Sequence, residues 1–367
     1  MAKKLASDRL LFGSVLLLVG TGLLMIYSAS SLQATLASSS APAGPYFFVL
    51  KQTVAVAVGA LLAFAAMSID YRRLNDPRLI GVLLAVLAVA LVAVLFRAPV
   101  NGARRWLALG FMSVQPSEFA KVGLVIALAA LLSRREGEMD LPTRTLLPVL
   151  GLVAVPAGLV LLEPDFGTAF TYFIVAGAML FFAGLPFRWF FGSALLLVPT
   201  LSAWVLSAQY RRDRLTAFLH PELDPLGKGF HAIQSLIAVG TGGVTGLGLG
   251  EGKQKLFFLP YPYTDFIFAI VGEELGLIGC VAVLALFGLV FARGVRAAVN
   301  APDSFGRLLG IGLSVMIVAQ ALINISVVLS LLPTKGIPLP FLSYGGSALW
   351  ADLLAVGILL NLSQHAS

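Results

Sequence analysis

Long apolar stretches recur from one end of this chain to the other, each near the ~20 residues that a helix needs to cross a roughly 30 Å hydrocarbon core, and charge, proline and glycine punctuate them. Inside a bilayer no water is present to satisfy backbone polar groups, so each stretch must close its hydrogen bonds internally and become a helix. Placing the breaks gives ten expected spans: 10–28, 46–68, 79–96, 116–133, 145–162, 167–185, 187–208, 265–292, 308–332 and 341–362. Only "EPDFG" separates the fifth from the sixth. Hydrophobic residues make up 59% of the chain and charged ones 12%, with a mean hydropathy of +0.94, more apolar surface than a soluble fold of this size can bury. The expectation is an all-α integral membrane protein: one domain over residues 1–367, ten transmembrane helices, and one long extracytoplasmic loop, about 209–264, between helices 7 and 8.

Basic residues orient the set. Lys3, Lys4, Arg9, Arg72, Arg73, Arg78, Arg134, Arg135, Arg144, Arg188, Arg293, Arg296 and Arg307 fall on one side, which the positive-inside rule makes cytoplasmic, together with both termini. The first span is long for a signal-peptide core and is expected to stay as an anchor. On the other side, against the insertion bias, stand Arg97, Arg104 and Arg105, a group between Arg211 and Lys255, and Lys335 between Pro333 and Pro340. Cations kept there at a cost point to an anionic headgroup or phosphate outside. The net charge of +7 is scattered and forms no recognition block, so the expected partners are lipids and not nucleic acid. In the long loop, "GKGFHAIQSLIAVGTGG" has the spacing of a short helix lying on the outer leaflet. The one cysteine, Cys280, excludes an internal disulfide and a paired-cysteine metal site.

Several chemistries are absent. "GLGLGEGKQ" at 246–254 misses the spacing of a phosphate-cradling loop, no Ser-x-x-Lys occurs, and the three histidines make no metal-ligand spacing. What remains is a set of ionisable residues gathered at the outer ends of spans: Glu118 and Lys121 in "QPSEFAK", Glu163 and Asp165 in "LLEPDFGTAF", Asp265, and Lys335. A charge in lipid costs on the order of 3 kcal/mol, which makes such residues functional candidates by default. In a helix beginning near Asp265, the 100° step would set Gly272 and Gly276 on the same face as Asp265 and leave Glu273 ~12 Å deeper, with Glu274 pointing away. Pairing with a cation or with neighbouring polar groups is the expected role of the two glutamates, and catalysis that of Asp265. Glu118 and Lys121, three apart, can neutralise one another. Gln320 and Asn324 read as interhelical hydrogen-bonding residues outside the site.

Taken together, "YSAS" at 27–30, "NGARRWLALG" with "QPSEFAK", "EPDFGTAF", "GLGLGEGKQKLFFLP", "YTDFIFAIVGEELGLIG" and "LLPTKGIPLPFLSYGGSALW" resemble the SEDS family, the FtsW, RodA and SpoVE peptidoglycan glycosyltransferases of bacteria. The resemblance runs nearly end to end, and "PTKG" before "PLPF", with "DRLL" and "YSAS", looks closer to the FtsW branch than to RodA. It implies a ten-span polymerase of the bacterial cytoplasmic membrane that joins lipid II units on the outer face, for septal or elongation wall synthesis, beside a class B penicillin-binding protein. The family's aspartate lies in "HTDF". Here Asp265 matches while Tyr263 replaces the histidine, so that histidine is not required as an acid or base.

Glycosyl transfer from a lipid pyrophosphate needs a base for the acceptor hydroxyl and positive charge for the leaving group. Asp265 is the expected base. Lys335, Arg104, Arg105 and Lys121 are the expected phosphate-side cations, with Glu118 in the substrate site and Glu163 and Asp165 either completing it or capping the turn between the fifth and sixth spans. A divalent cation, Mg or Mn, is expected to share the charge, and no organic cofactor is expected. The rival expectation is a lipid II flippase, which would line a path through the membrane with charge and would draw on Glu273, Glu274 and Asp352.

Overall fold

A computed structural model describes residues 7–36, 44–99, 103–109, 112–207, 209–227, 229–256, 258–333 and 336–365. Lys335 lies outside the described residues. Each of the ten expected stretches contains a helix: α1 (Arg9–Leu36), α2 (Phe47–Ser68), α3 (Pro77–Leu95), α4 (Pro116–Ser133), α5 (Leu146–Leu162), α6 (Phe166–Phe182), α7 (Phe187–Leu206), α10 (Ile267–Val299), α11 (Ser304–Val328) and α12 (Gly346–Ser363). Among the described residues seven helices are long and apolar enough to cross a membrane, and α5 and α6 are shorter apolar helices.

Local chemistry sets the helix starts. Asp76, Asp165 and Asp303 each accept a hydrogen bond from a backbone N–H in the first turn of α3, α6 and α11, satisfying donors that a helix start leaves open. Proline occupies the first position of α3 and of α4, where no N–H is needed. Aspartate at the end of "EPD" thus divides the almost continuous apolar run of α5 and α6.

Burial sorts the helices into layers. In their most apolar windows α4 is 83% buried and α3 11%, so α4 runs through the centre while α3 faces lipid. With α11 and α12 it forms the inner column. Leu124 and Leu128 of α4 are among the largest fully buried side chains, and the buried Tyr172 of α6 donates to the Ser117 carbonyl of α4 at 2.9 Å.

Two features depart from expectation. The all-α reading holds for the bundle, to which strands β1 (Leu107–Leu109) and β2 (Met112–Val114) add a short antiparallel hairpin just before α4. The long segment 209–264 holds the short helix expected within it, α9 (Phe230–Gly242), and also α8 (Gln209–Leu219), which the sequence pattern does not show. α9 packs along α10, where a Cβ on Gly242 would stand 1.9 Å from the Gly272 carbonyl, and Ser235 donates to the Val328 carbonyl at 2.7 Å.

α10 is not one straight rod. Gly276 adopts φ 66° and ψ −163°, a conformation essentially restricted to glycine, and the helix breaks there. The bonds that a continuous helix would make from Leu277 and Ile278 are replaced. Leu277 and Ile278 donate instead to the Gly243 and Val244 carbonyls at 2.9 and 3.2 Å, while the Glu273 and Glu274 carbonyls accept from Leu247 and Gly248 at 3.0 and 3.1 Å. The glycine seam does admit a close neighbour, namely α9 and this loop, but Gly276 leaves the helical path that the 100° step assumes.

Candidate active site

The starts of α4, α6, α10 and α12 and the ends of α5 and α11 meet at one end of the bundle, where residues 336–344 fold inward as a loop. Asp265 sits in the turn before α10, partly open at its surface. Its backbone is fixed from three directions. Asn324 of α11 donates through Nδ2 to the Asp265 carbonyl at 2.8 Å and to the Ile337 carbonyl at 2.7 Å. Ser343 donates to the Thr264 carbonyl at 2.6 Å and accepts from Leu339 N–H at 2.8 Å. The Tyr344 N–H donates to the Tyr263 carbonyl at 2.9 Å.

The loop must come very near for these bonds to form. A Cβ on Gly336 would stand 3.0 Å from Asp265 Oδ2, and Ile337 fills the space that a Cβ on Gly167 would need, 2.4 Å away. Gln320, one turn from Asn324, donates to the Pro338 carbonyl at 3.0 Å, and Gln52 of α2 donates to the Ser343 carbonyl at 3.2 Å. Tyr263, in the place of the family histidine, packs its ring on Phe48 and Tyr344 at centroid distances of 4.7 and 5.8 Å. It serves as an aromatic wall. Among the described residues no donor reaches the Asp265 carboxylate.

Facing this aspartate is a second group. Arg105 precedes the hairpin and donates to the Glu163 carbonyl at 3.3 Å and to the Pro164 carbonyl, with Nη1 3.9 Å from Asp165 Oδ2. Asp165 also accepts from Gln115 Nε2 at 3.1 Å and from the Thr168 hydroxyl at 2.9 Å. Glu163 is sealed, and neither of its carboxyl oxygens has a partner among the described residues. Burial pushes its carboxyl up to about 8, with the Asp165 charge adding and Arg105 opposing, so Glu163 stands as a neutral acid at pH 7. Burial likewise pushes Asp265 up to about 6, Arg105 drawing it down and Asp165 adding to the rise. Asp265 is therefore ionised at neutral pH yet weakly solvated, which suits a base.

Other sequence candidates fall elsewhere. Arg104 is exposed and donates to the Leu95 carbonyl at 3.0 Å. Glu118 and Lys121 are buried and 2.7 Å apart, and Lys121 also bonds Gln320. Asp352 of α12 lies within their electrostatic reach, its two oxygens unpartnered. Sequence reasoning set aside Gln320 and Asn324 and did not consider Gln115 or Gln52. Side-chain amides carry no charge to mark them, although the spacing of four between Gln320 and Asn324 was a signal that both serve one face of α11.

Glu273 and Glu274 belong to a separate cluster. Glu273 accepts the Lys253 and Gln254 N–H groups at 2.7 and 3.1 Å. Glu274 accepts from Ser28 at 2.7 Å, from Gly250 N–H at 3.0 Å and from Lys255 Nζ at 2.7 Å. Their expected pairing role is what the geometry provides, and it explains both "YSAS" and the glycine-rich stretch before Lys255.

As for a metal, no group of three or more carboxylate, histidine or cysteine side chains among the described residues is arranged to hold one. The pair Asp265 and Asp165 fits only an ion that brings most of its own ligands.

Comparison with known proteins gives consistent matches. The family described as "Cell cycle protein", FtsW/RodA/SpoVE, matches residues 8–367. A probable peptidoglycan glycosyltransferase FtsW of Geobacter metallireducens is 42% identical over 94% of this chain and 91% of its own length. The stage V sporulation protein E of Bacillus subtilis is 41% identical over 99% of both. Among solved structures, a chain from work on the coordination of polymerization and crosslinking by a peptidoglycan synthase complex superposes with a TM-score of 0.80 at 33% identity, covering 98% of each chain. The rod shape determining protein RodA of Thermus thermophilus gives 0.71 at 29% identity, covering 99% of this chain and 98% of that one.

Proposed function

The chain belongs to the FtsW/RodA/SpoVE (SEDS) family and is a multi-pass membrane peptidoglycan glycosyltransferase of cell-wall synthesis, and from that premise we propose that Asp265 is the general base of glycan polymerisation from lipid II. The observation that carries this is the Asp265 carboxylate on a backbone fixed by Asn324, packed against the loop at Gly336 and reached by no donor among the described residues.

The acceptor hydroxyl gives its proton to Asp265 as its oxygen bonds to the anomeric carbon of the donor. The bond from that carbon to the pyrophosphate oxygen breaks, and its electron pair leaves with the pyrophosphate. Arg105, already turned into the cleft, supplies positive charge to the leaving group, with Arg104 and Lys335 as further cations. Glu163, sealed and held neutral, lies behind Arg105 as a positioning residue: its carbonyl accepts from that guanidinium, and its carboxyl adds no negative charge beside the leaving group. Glu118 and Lys121 act from below as positioning residues, because Lys121 bonds Gln320 and Gln320 holds the Pro338 carbonyl of the loop. A divalent cation enters this reading as an ion carried by the pyrophosphate, with Asp265 or Asp165 as its protein ligands, and it would neutralise the departing charge.

The ten-crossing arrangement, the outward-facing cleft, cytoplasmic termini, placement in the bacterial cytoplasmic membrane and pairing with a class B penicillin-binding protein complete the proposal. The flippase reading draws less support, since Glu273 and Glu274, two of the three deep acids it would use, are engaged by loop backbone and Lys255, which leaves only Asp352 for it. The test is polymerisation from purified lipid II, with and without the cognate penicillin-binding protein. Product from wild type and none from Asp265→Asn supports the base; undiminished product removes it.

A further inference from the structure

At the end of α4 opposite Asp265 the molecule opens a groove between α3, α4 and α5 that the glycosyl-transfer chemistry does not use. Two cavities of about 760 and 490 Å³ share Leu84, Pro148 and Leu152 and so form one continuous channel. Its floor is a single face of α4: Ala120, Leu124, Ala127, Leu131 and Arg134, spaced four, three, four and three. Fourteen residues at 1.5 Å each make it about 21 Å long, somewhat more than one leaflet of a roughly 30 Å core. Small residues keep it open, and a Cβ on Gly81 or on Gly151 would meet nothing within 4 Å.

The two ends differ in character. Toward the Asp265 end the lining is wholly apolar. At the other end it takes in Arg134, Arg135 and Arg144 against a single Glu138. Arg144 lends only Nη1 to Glu138, at 3.4 Å in an exposed pair, while Arg134 is turned to the Asn75 carbonyl at 2.7 Å. Arg135 has no protein acceptor among the described residues. Glu136 beside it is exposed and does not line the groove, and Asp140 is engaged by Arg188 at 3.0 Å.

We propose that this groove is a binding site for one anionic phospholipid, with its phosphate on Arg135 and Arg144 and an acyl chain running between α3 and α5 along α4 toward Ala120. A basic mouth on an apolar slot of leaflet length matches that ligand at both ends: the headgroup meets cations at the membrane surface, and the chain fills a gap that helix packing leaves empty. A zwitterionic lipid would meet the slot but not the charge. The site is independent of glycosyl transfer.

The test uses the full chain reconstituted in nanodiscs of equal phosphatidylglycerol and phosphatidylethanolamine, then released for native mass spectrometry to count retained lipid. Wild type should keep one phosphatidylglycerol with about tenfold preference. Arg135→Gln with Arg144→Gln should keep a lipid and lose the preference. Gly81→Leu with Gly151→Leu, which fills the slot and leaves the arginines, should retain at least fivefold less of either lipid. Equal retention of the two lipids by wild type, or retention unchanged by the groove-filling pair, overturns the proposal, as does a polyprenyl lipid as the retained species. Should the arginine variant fail to fold, the glycine pair still decides.

Discussion

Two buried acidic regions of this protein stand one helix segment apart and are built in opposite ways. Around Glu273 and Glu274, backbone N–H groups, Ser28 and Lys255 supply donors to both carboxylates. Around Asp265 the donors go to backbone carbonyls, and among the described residues none reaches the carboxylate itself. A satisfied carboxylate fixes structure and has nothing further to offer; one whose surroundings are rigid while its own oxygens are open is ready to accept a proton. On the proposed function, chemistry falls to the acid in the turn before α10 and architecture to the two acids inside that helix.

The sharpest way to break that contrast is to neutralise each acid. Asp265→Asn should lower polymerisation of purified lipid II by about 10²–10⁴-fold with the protein still folded, read from product on gels beside a thermal scan. Lys255→Met should act in the reverse sense. It strands the buried Glu274 charge, costs about 3–5 kcal/mol and lowers the unfolding midpoint in detergent, and the double variant Lys255→Met, Glu274→Gln should recover much of the loss. If Lys255→Met instead abolished turnover at unchanged stability, the division between the regions would fail. Asn324→Leu, which frees the loop but spares the base, should reduce kcat by about tenfold with little change in KM.

The smallest effect concerns pH. Asp265 is pushed to about 6 from an ordinary 3.8, so the folded state holds this proton more tightly than the unfolded one between those values. Stability from this group is therefore highest at low pH and declines as pH rises through 6. Asp265→Asn should raise the midpoint by a few °C at pH 7.5 and leave it unchanged near pH 4. Wild-type turnover should climb with pH up to about 6 and level off above.

Much of the architecture is legible from hydropathy, because lipid leaves a chain no alternative to helix over apolar runs of this length. Asp165 shows how far a single residue can be read: its place after "EP" marks the break between α5 and α6, and the side chain does cap α6. Other parts were hidden for physical reasons. The strands of the hairpin before α4 are three residues each, too short to show alternation. Gln320 and Asn324 were read correctly as hydrogen-bonding residues, but their partners are carbonyls of the 336–344 loop and of Asp265, distant in sequence. Lys255 lay in a stretch examined as a phosphate loop and rejected, and only the fold reveals that it pairs with Glu274. The break at Gly276 could not be foreseen, since a glycine that admits a neighbour and one that departs from the helix look alike in sequence.

That break has a bearing on how the protein is made. The amides of Leu277 and Ile278 find their acceptors in Gly243 and Val244, residues that leave the ribosome earlier and, in the proposed orientation, cross the membrane before α10 enters it. Until the two segments meet, α10 must either insert as an unbroken helix with two glutamates toward lipid or wait with open backbone groups, and both are costly in hydrocarbon. The preceding loop therefore acts as a template on which α10 is completed. Lengthening the stretch between Gly248 and Lys255 should slow maturation of the inserted chain more than it weakens the finished one, which a pulse-labelled protease-protection assay would resolve.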